Sequence, residues 1–219
     1  MSFPHDWSTI AGLVGALVAV GCVSGFLAGL LGIGGGAVVV ITLYEAFSAI
    51  GVEPSLRMHL ATGTALAVLA PTTFSSFRAH MAKGAVDLAL VRRLALPVVG
   101  GVLGGILVAK SSGGGVLKWV WIVMGTFLAT KMLLGKEHWR LGDAIPKNPL
   151  VEAYAAFVGF ISALMSIGGG AYMTMLMTLY GRPLHQAVAT SSAFGPLIAV
   201  PAMIGFAWAG WGREGLPPG

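Results

Sequence analysis

Charged residues are scarce in this sequence. Aspartate, glutamate, lysine and arginine together make up 10% of its 219 residues, whereas 56% of the residues are hydrophobic and the mean hydropathy is +0.86. Soluble domains have about a quarter of their residues charged, which covers their surface with polar groups. The composition therefore excludes a water-soluble globular domain and predicts an integral membrane protein in contact with a lipid bilayer.

Cysteine pairs and clustered histidines are also lacking. Cys22 is the sole cysteine, so no disulfide can form within the chain. The histidines are scattered and show no metal-ligand spacing: His5, His59, His80, His138 and His185. An enzyme would need a nucleophile with its base, or clustered metal ligands. These absences argue against an enzyme and predict neither a metal nor a cofactor.

Long uncharged runs predict membrane-spanning helices, which need about 20 apolar residues to cross the hydrocarbon core. The predicted spans are 10–31, 37–50, 60–77, 86–109, 115–135, 150–167, 171–180 and 187–209. Segments 37–50 and 171–180 are too short to cross, which predicts half-helices that end inside the membrane. Four prolines lie inside predicted spans and are expected to bend them: Pro71, Pro97, Pro196 and Pro201.

The formal net charge of +5 comes from basic residues placed between spans, which does not favour nucleic-acid binding. One cluster is Arg78, Lys83, Arg92 and Arg93, and the other is Lys131, Lys136, Arg140 and Lys147. Basic residues beside membrane spans are typical of cytoplasmic loops. Both clusters are predicted to face the cytoplasm, in a multi-pass protein of the bacterial cytoplasmic (inner) membrane.

The sequence repeats itself. Residues 25–37 align with 159–171 at eight identical positions of thirteen, and both copies continue through Thr-Leu-Tyr, at 42–44 and 178–180. A second motif follows in the same order, Ala-Thr-Gly-Thr-Ala at 61–65 and Ala-Thr-Ser-Ser-Ala at 189–193. Two motifs kept in order indicate a duplicated unit.

An odd number of predicted crossings separates the two copies, so they have opposite orientations in the membrane. This arrangement is typical of secondary transporters. The sequence predicts one membrane domain, 1–219, with repeat 1 at about 10–136 and repeat 2 at about 150–219. By symmetry, two further helices in about fifty residues are expected to follow repeat 2 in the native protein.

Each repeat contains a glycine triplet within its apolar stretch: Gly34, Gly35 and Gly36, then Gly168, Gly169 and Gly170. Glycine disfavours a helix, and the segment after each triplet is short, so we predict that the helix breaks at each triplet. The N-terminus of the half-helix that follows the break is then expected to bind an anion. The alternative is close helix packing, which is also the interpretation of Gly100, Gly101, Gly104 and Gly105. A dinucleotide-binding loop is excluded, since a long apolar span rather than a strand precedes it.

Hydroxyl residues follow each break in the duplicated second motif: Thr62, Thr64, Thr190, Ser191 and Ser192. They either donate hydrogen bonds to an anion or bond the carbonyls of their own helices. Arg57 and Arg182 occupy equivalent loops, where they would attract an anion at the two mouths or anchor loops among lipid headgroups.

The paired glycine motif, followed twice by Ala-Thr-[Gly/Ser]-[Thr/Ser]-Ala, resembles the sulfite exporter TauE/SafE family of membrane permeases. The resemblance implies an all-α bundle of two inverted halves that moves a small sulfur-containing anion, such as sulfite or an organosulfonate. It supports the six triplet glycines and five hydroxyl residues as the substrate region. An exporter is the leading interpretation; a passive anion channel, an uptake permease for a related organic anion and a structural subunit are alternatives. A homo-oligomer is possible.

Overall fold

The computed structural model describes residues 36–134 and 140–211, together with Gly15, Val18, Gly21, Cys22, Gly25 and Phe26. Throughout this part of the chain the regular structure is helical, which confirms the all-α prediction. The helices are α1 (Gly36–Ala49), α2 (Pro54–Ala82), α3 (Leu88–Ser111), α4 (Gly114–Leu134), α5 (Pro149–Met165), α6 (Gly170–Leu179), α7 (Leu184–Ser192) and α8 (Phe194–Gly210). Most of the predicted span 10–31, and Gly34 and Gly35, lie outside the described residues.

Within the described residues, three helical segments are long and apolar enough to cross a membrane. They are α2, α3 and the segment Leu184–Gly210, which contains α7 and α8. One face of α3 is buried, through residues such as Leu94 and Val98, whereas Leu96 on another face is 83% exposed. Contact between an exposed leucine and water is unfavourable, so this face of α3 is suited to contact with the lipid tails of a membrane.

The bundle has two distinguishable ends. At one end, Arg93 of α3 donates to the Pro146 carbonyl at 3.0 Å, and the Leu141 amide donates to the Leu179 carbonyl at 2.7 Å. We name this the basic end, after Arg78, Lys83, Arg92, Arg93, Lys131, Arg140, Lys147 and Arg182. At the other end, His59 of α2 contacts the Ala109 carbonyl at 2.9 Å.

Glycines bring α3 and α5 into backbone contact. Gly101 lies against the Ala156 carbonyl, Gly105 against the Phe160 carbonyl, and Gly159 against the Val98 carbonyl. Small residues allow such close approach between membrane helices. The packing interpretation of the α3 glycines is therefore confirmed for Gly101 and Gly105, whereas a methyl group on Gly100 would have no neighbour within 4 Å.

We expect Gly101→Ala to destabilise the protein by about 1–3 kcal/mol, because the new methyl group would overlap the Ala156 carbonyl. Gly100→Ala, one residue away and exposed, is the matched control and should be neutral or slightly stabilising, by up to about 1 kcal/mol. Thermal unfolding in detergent measures both. Equal melting temperatures for the two variants would contradict the proposed α3–α5 contact.

The helix that contains the predicted span 60–77 is longer than the span, and the predicted loop position of Arg57 and His59 is wrong. Helix α2 begins at Pro54, where the missing N–H of proline costs nothing in the first turn, and it continues to Ala82. Arg57 and His59 therefore lie within the helix and not in the loop before it. A hydropathy pattern locates the apolar centre of such a helix but not the polar turns that extend beyond the membrane.

The prolines divide into two groups. Pro71, Pro97 and Pro201 lie inside helices, as expected for residues that bend a span. Pro196 differs, because a new helix, α8, begins at Phe194 and places Pro196 in its first turn. A proline there removes no helical hydrogen bond, so bending at Pro196 is not required.

Candidate anion site at the glycine breaks

The second glycine triplet interrupts the helix. Helix α5 ends at Met165 and α6 begins at Gly170, with Ser166 and Gly169 both in left-handed conformation, at φ of 53° and 70°. The Ile167 amide still bonds back to the Ser162 carbonyl, at 3.2 Å. The predicted break at Gly168–Gly170 is therefore confirmed, and the half-helix α6 follows it.

The N-terminus of α6 is buried and has no side-chain cap. Gly168 and Gly169 are buried, and the N-cap residue, Gly169, has no side chain to accept from the first amides of the helix. These amides have no partner within the helix, and they carry the positive end of its dipole. A buried helix end in this state favours an anionic group beside it.

The start of α1 meets this break. Gly36, the first residue of α1, lies directly against the Ser166 carbonyl. The Ser166 hydroxyl in turn donates to the Thr62 carbonyl of α2, at 2.7 Å. The last glycine of the first triplet, the first threonine of the hydroxyl motif and the second break are therefore brought together.

Two buried hydroxyls near the break have no hydrogen-bond partner. The side-chain oxygens of Thr62 and Ser162 are buried, and neither forms a hydrogen bond with the described residues. The Ser162 oxygen lies 3.6 Å from where a methyl group on Gly169 would stand. A buried hydroxyl without a hydrogen-bond partner lowers the stability of the folded protein, so the presence of two indicates that a ligand or water forms hydrogen bonds with them.

Ser162 was not predicted, because in the aligned repeats it stands opposite Ala28 and the duplication does not mark it. The signal available in the sequence was its position one helical turn before Ser166, which is where the break begins. Residues four apart lie on the same helix face.

The other predicted hydroxyls lie elsewhere. Thr190 accepts from the Asp87 amide at 3.0 Å, near the basic end. Ser191 accepts from the Thr174 hydroxyl at 2.9 Å, and Ser192 donates to the Ala189 carbonyl of its own helix at 2.7 Å. Thr64 is exposed. Among the five predicted hydroxyl residues, Thr62 is the one that the described contacts join to the break, through its bond with Ser166.

Two hollows lined by the described residues differ in size. A groove of about 500 Å³ lies between α2 and α8 at the end opposite the basic end, and its lining includes His59, Thr64 and Trp211. At the basic end, a cleft beside Asp87 and Arg182 leaves no room for a water molecule. The described residues contain no group of three His, Cys, Asp or Glu side chains able to hold a metal ion.

The sequence profile of the sulfite exporter TauE/SafE family matches residues 17–216. The chain belongs to this family. The match covers both glycine motifs and both hydroxyl motifs, so the TauE/SafE assignment includes the break described above. The TauE/SafE chain is accordingly a membrane transporter and not an enzyme.

Two relatives of this TauE/SafE protein agree with the assignment. A probable membrane transporter protein of Haemophilus influenzae is 31% identical over 201 residues, which cover 90% of this chain and 75% of that protein. A probable membrane transporter protein of Methanocaldococcus jannaschii is 28% identical over 198 residues, 89% of this chain and 72% of that protein. No solved structure matches the chain.

Proposed function

We propose that this transporter exports a small sulfur-containing anion, such as sulfite or an organosulfonate, and that the anion binds at the break between α5 and α6. The observation that carries the proposal is the buried, uncapped N-terminus of α6 close to the unpartnered Ser162 hydroxyl, with Thr62 joined to the same break through its carbonyl. Amides and hydroxyls suit an oxyanion, because they donate hydrogen bonds to several oxygens without a full positive charge that would hold the anion too tightly.

The family supports the substrate class, since the family is described as that of a sulfite exporter. We assign the site Gly36, Thr62, Ser162, Gly168, Gly169 and Gly170, with Gly34 and Gly35 expected from the sequence alone. Thr64, Thr190, Ser191 and Ser192 are assigned to the route that the anion takes to or from this site.

Alternating access is the proposed mechanism. It is supported by the difference between the groove that Thr64 lines and the closed cleft that Thr190 lines, since both residues are assigned to the route of the anion and a transporter opens to one side at a time. We place the basic end in the cytoplasm of a bacterial inner membrane, following the distribution of lysine and arginine. The antiparallel course of α2 and α8, whose start and end line the same groove, supports two inverted repeats.

Thermal stabilisation of the purified protein tests the substrate class. Sulfite or methanesulfonate should raise the melting temperature in a dose-dependent way, whereas acetate and chloride at equal ionic strength should not, because a ligand stabilises the state that binds it. Equal shifts with acetate would remove the sulfur-anion assignment.

Flux into proteoliposomes tests the mechanism. A secondary transporter should accumulate the anion against its concentration when an ion gradient is imposed across the vesicle membrane. Flux that is equal with and without every imposed gradient would indicate a passive channel instead.

A further inference from the structure

An ion pair ties helix α3 to the turn between α6 and α7. Arg182 donates to a carboxylate oxygen of Asp87 at 3.1 Å, and the two residues stand 95 positions apart in the chain. The side chains are 41% and 24% exposed, so the pair lies at the surface of the basic end. At such exposure an ion pair is weak and its partners can exchange.

The Asp87 carboxylate serves two partners at once. One oxygen accepts from the Leu90 amide at 3.1 Å and caps the start of α3, while the other binds Arg182. The backbone amide of Asp87 also donates to the Thr190 hydroxyl of α7. Asp87 is therefore fixed in place by α3, and it closes the cleft by binding two parts of the α6–α7 hairpin.

The turn of the α6–α7 hairpin is the part of it that Asp87 holds to α3. Helices α6 (10 residues) and α7 (9 residues) are short, and they pack chiefly against one another. The hairpin begins at the left-handed Gly169, and another left-handed glycine, Gly181, stands beside Arg182 in its turn. The polar contacts described between the hairpin and α3 are those of Asp87. Helix α6 is held separately to α5 by the Tyr154 hydroxyl, which donates to the Tyr172 carbonyl at 2.9 Å, so Asp87 controls the turn of the hairpin and not its whole length.

The groups around the cleft also suit an anion. Arg182, Gln186 and Thr190 line it and supply guanidinium, amide and hydroxyl donors. A guanidinium binds a carboxylate and a sulfur oxyanion through the same planar arrangement of N–H groups. The Asp87 carboxylate therefore occupies the position at Arg182 that an anion from solution would take.

We propose that Arg182 is an anion-receiving residue at the mouth of the basic end, and that Asp87 is its internal competitor, which holds the turn between α6 and α7 against α3 until an anion displaces it. The ligand class is a small sulfur oxyanion, and to that extent the inference rests on the proposed function. When an anion from solution replaces the Asp87 carboxylate at Arg182, the guanidinium keeps a negatively charged partner.

The test uses two variants that break the same ion pair from its two sides. Asp87→Asn keeps the acceptor that caps α3 but removes the competing charge, whereas Arg182→Gln removes the anion receptor. We expect sulfite to bind about tenfold more tightly to Asp87→Asn and about tenfold more weakly to Arg182→Gln, as measured by titration of thermal stability. A merely structural bond would shift both variants in the same direction, which would overturn the proposal.

Glu152→Gln is the matched control. It breaks the Arg93–Glu152 pair, 3.6 Å long at the same end, which spans the closely packed α3–α5 interface. Sulfite affinity should be unchanged in this variant. If Glu152→Gln behaves as Asp87→Asn does, general surface charge explains the effect and the assigned competitor is wrong.

A measurement without ligand tests the latch separately. In a Cys22→Ser background, a reporter Met177→Cys lies buried in the cleft. Both Asp87→Asn and Arg182→Gln should raise its labelling rate by a membrane-impermeant maleimide about tenfold, because either one releases the turn at Arg182 from α3 and opens the cleft. Unchanged labelling would overturn the latch, even if sulfite transport is established. Faster labelling in a protein that binds no sulfite would leave the latch standing but overturn both the proposed substrate and the role of Arg182 as its receptor.

Discussion

Gly169→Val should reduce anion flux to less than about a tenth of the wild-type value. Gly169 has a φ of 70°, a conformation that a β-branched residue adopts only with strain. Its side chain would also meet Ile198 and approach the Ser162 hydroxyl, so it would occupy the space beside the α6 N-terminus. Flux per folded protein in proteoliposomes is the measurement.

Gly51→Val separates backbone strain from occupation of the site. Gly51 has a φ of 78° and no neighbour within 4 Å of the added carbon, and it lies in the turn between α1 and α2. This variant should incur a similar backbone strain, yet keep flux within about twofold of wild type. Wild-type flux in Gly169→Val, or an equal loss in Gly51→Val, would contradict the site assignment. By the repeat, Gly35→Val should resemble Gly169→Val.

Ser162→Ala and Thr62→Val should change stability and substrate affinity in opposite directions. Each removes a buried hydroxyl that has no hydrogen-bond partner among the described residues, so the free energy of unfolding of the ligand-free protein should rise by about 1 kcal/mol. The same hydroxyls are proposed to donate to the bound anion. Their loss should weaken sulfite binding by about 10- to 100-fold, the value of a hydrogen bond to a charged group.

Thr72→Val is the control for this pair of effects. Thr72 is on the same helix as Thr62, but it is exposed and its hydroxyl donates to the Val68 carbonyl at 2.8 Å. Neither melting temperature nor sulfite affinity should change much. Calorimetric titration and thermal unfolding give the two quantities independently. A Ser162→Ala protein that binds sulfite as tightly as wild type would show that its hydroxyl does not contact the anion.

The sequence predicted the second break because its signal is local. A glycine triplet within an apolar run, repeated in another part of the chain, indicates a backbone interruption without any knowledge of tertiary contacts. The half-helix after Gly170 and the close approach at Gly101 follow from the same kind of local pattern. In both cases the deciding property is the absence of a side chain.

The contents of the site were harder to predict, since they depend on which helices meet. Thr190 and Ser191 share a motif with Thr62, yet the fold turns them toward Asp87 and Thr174. The two occurrences of the motif lie on helices with different neighbours. A repeat in sequence fixes the order of elements, but the partner of each hydroxyl is fixed by packing.

Long-range pairing was beyond prediction for the same reason. Arg182 was expected at a mouth of the protein, and the structure places it at the basic end, but its partner is 95 residues away in the chain. Asp87 carries no motif, and its role arises from capping α3 at the point where the α6–α7 turn arrives. Charge alone in a sequence does not identify such a pair.

The contact between Gly36 and Ser166 has a mechanical consequence. Backbone touches backbone there, so no flexible side chain is available to absorb a shift of either segment. A displacement of the start of α1 would therefore move the α5–α6 connection with it, and the two segments would shift together. A larger residue at position 36 would then be tolerated only together with a rearranged backbone at position 166.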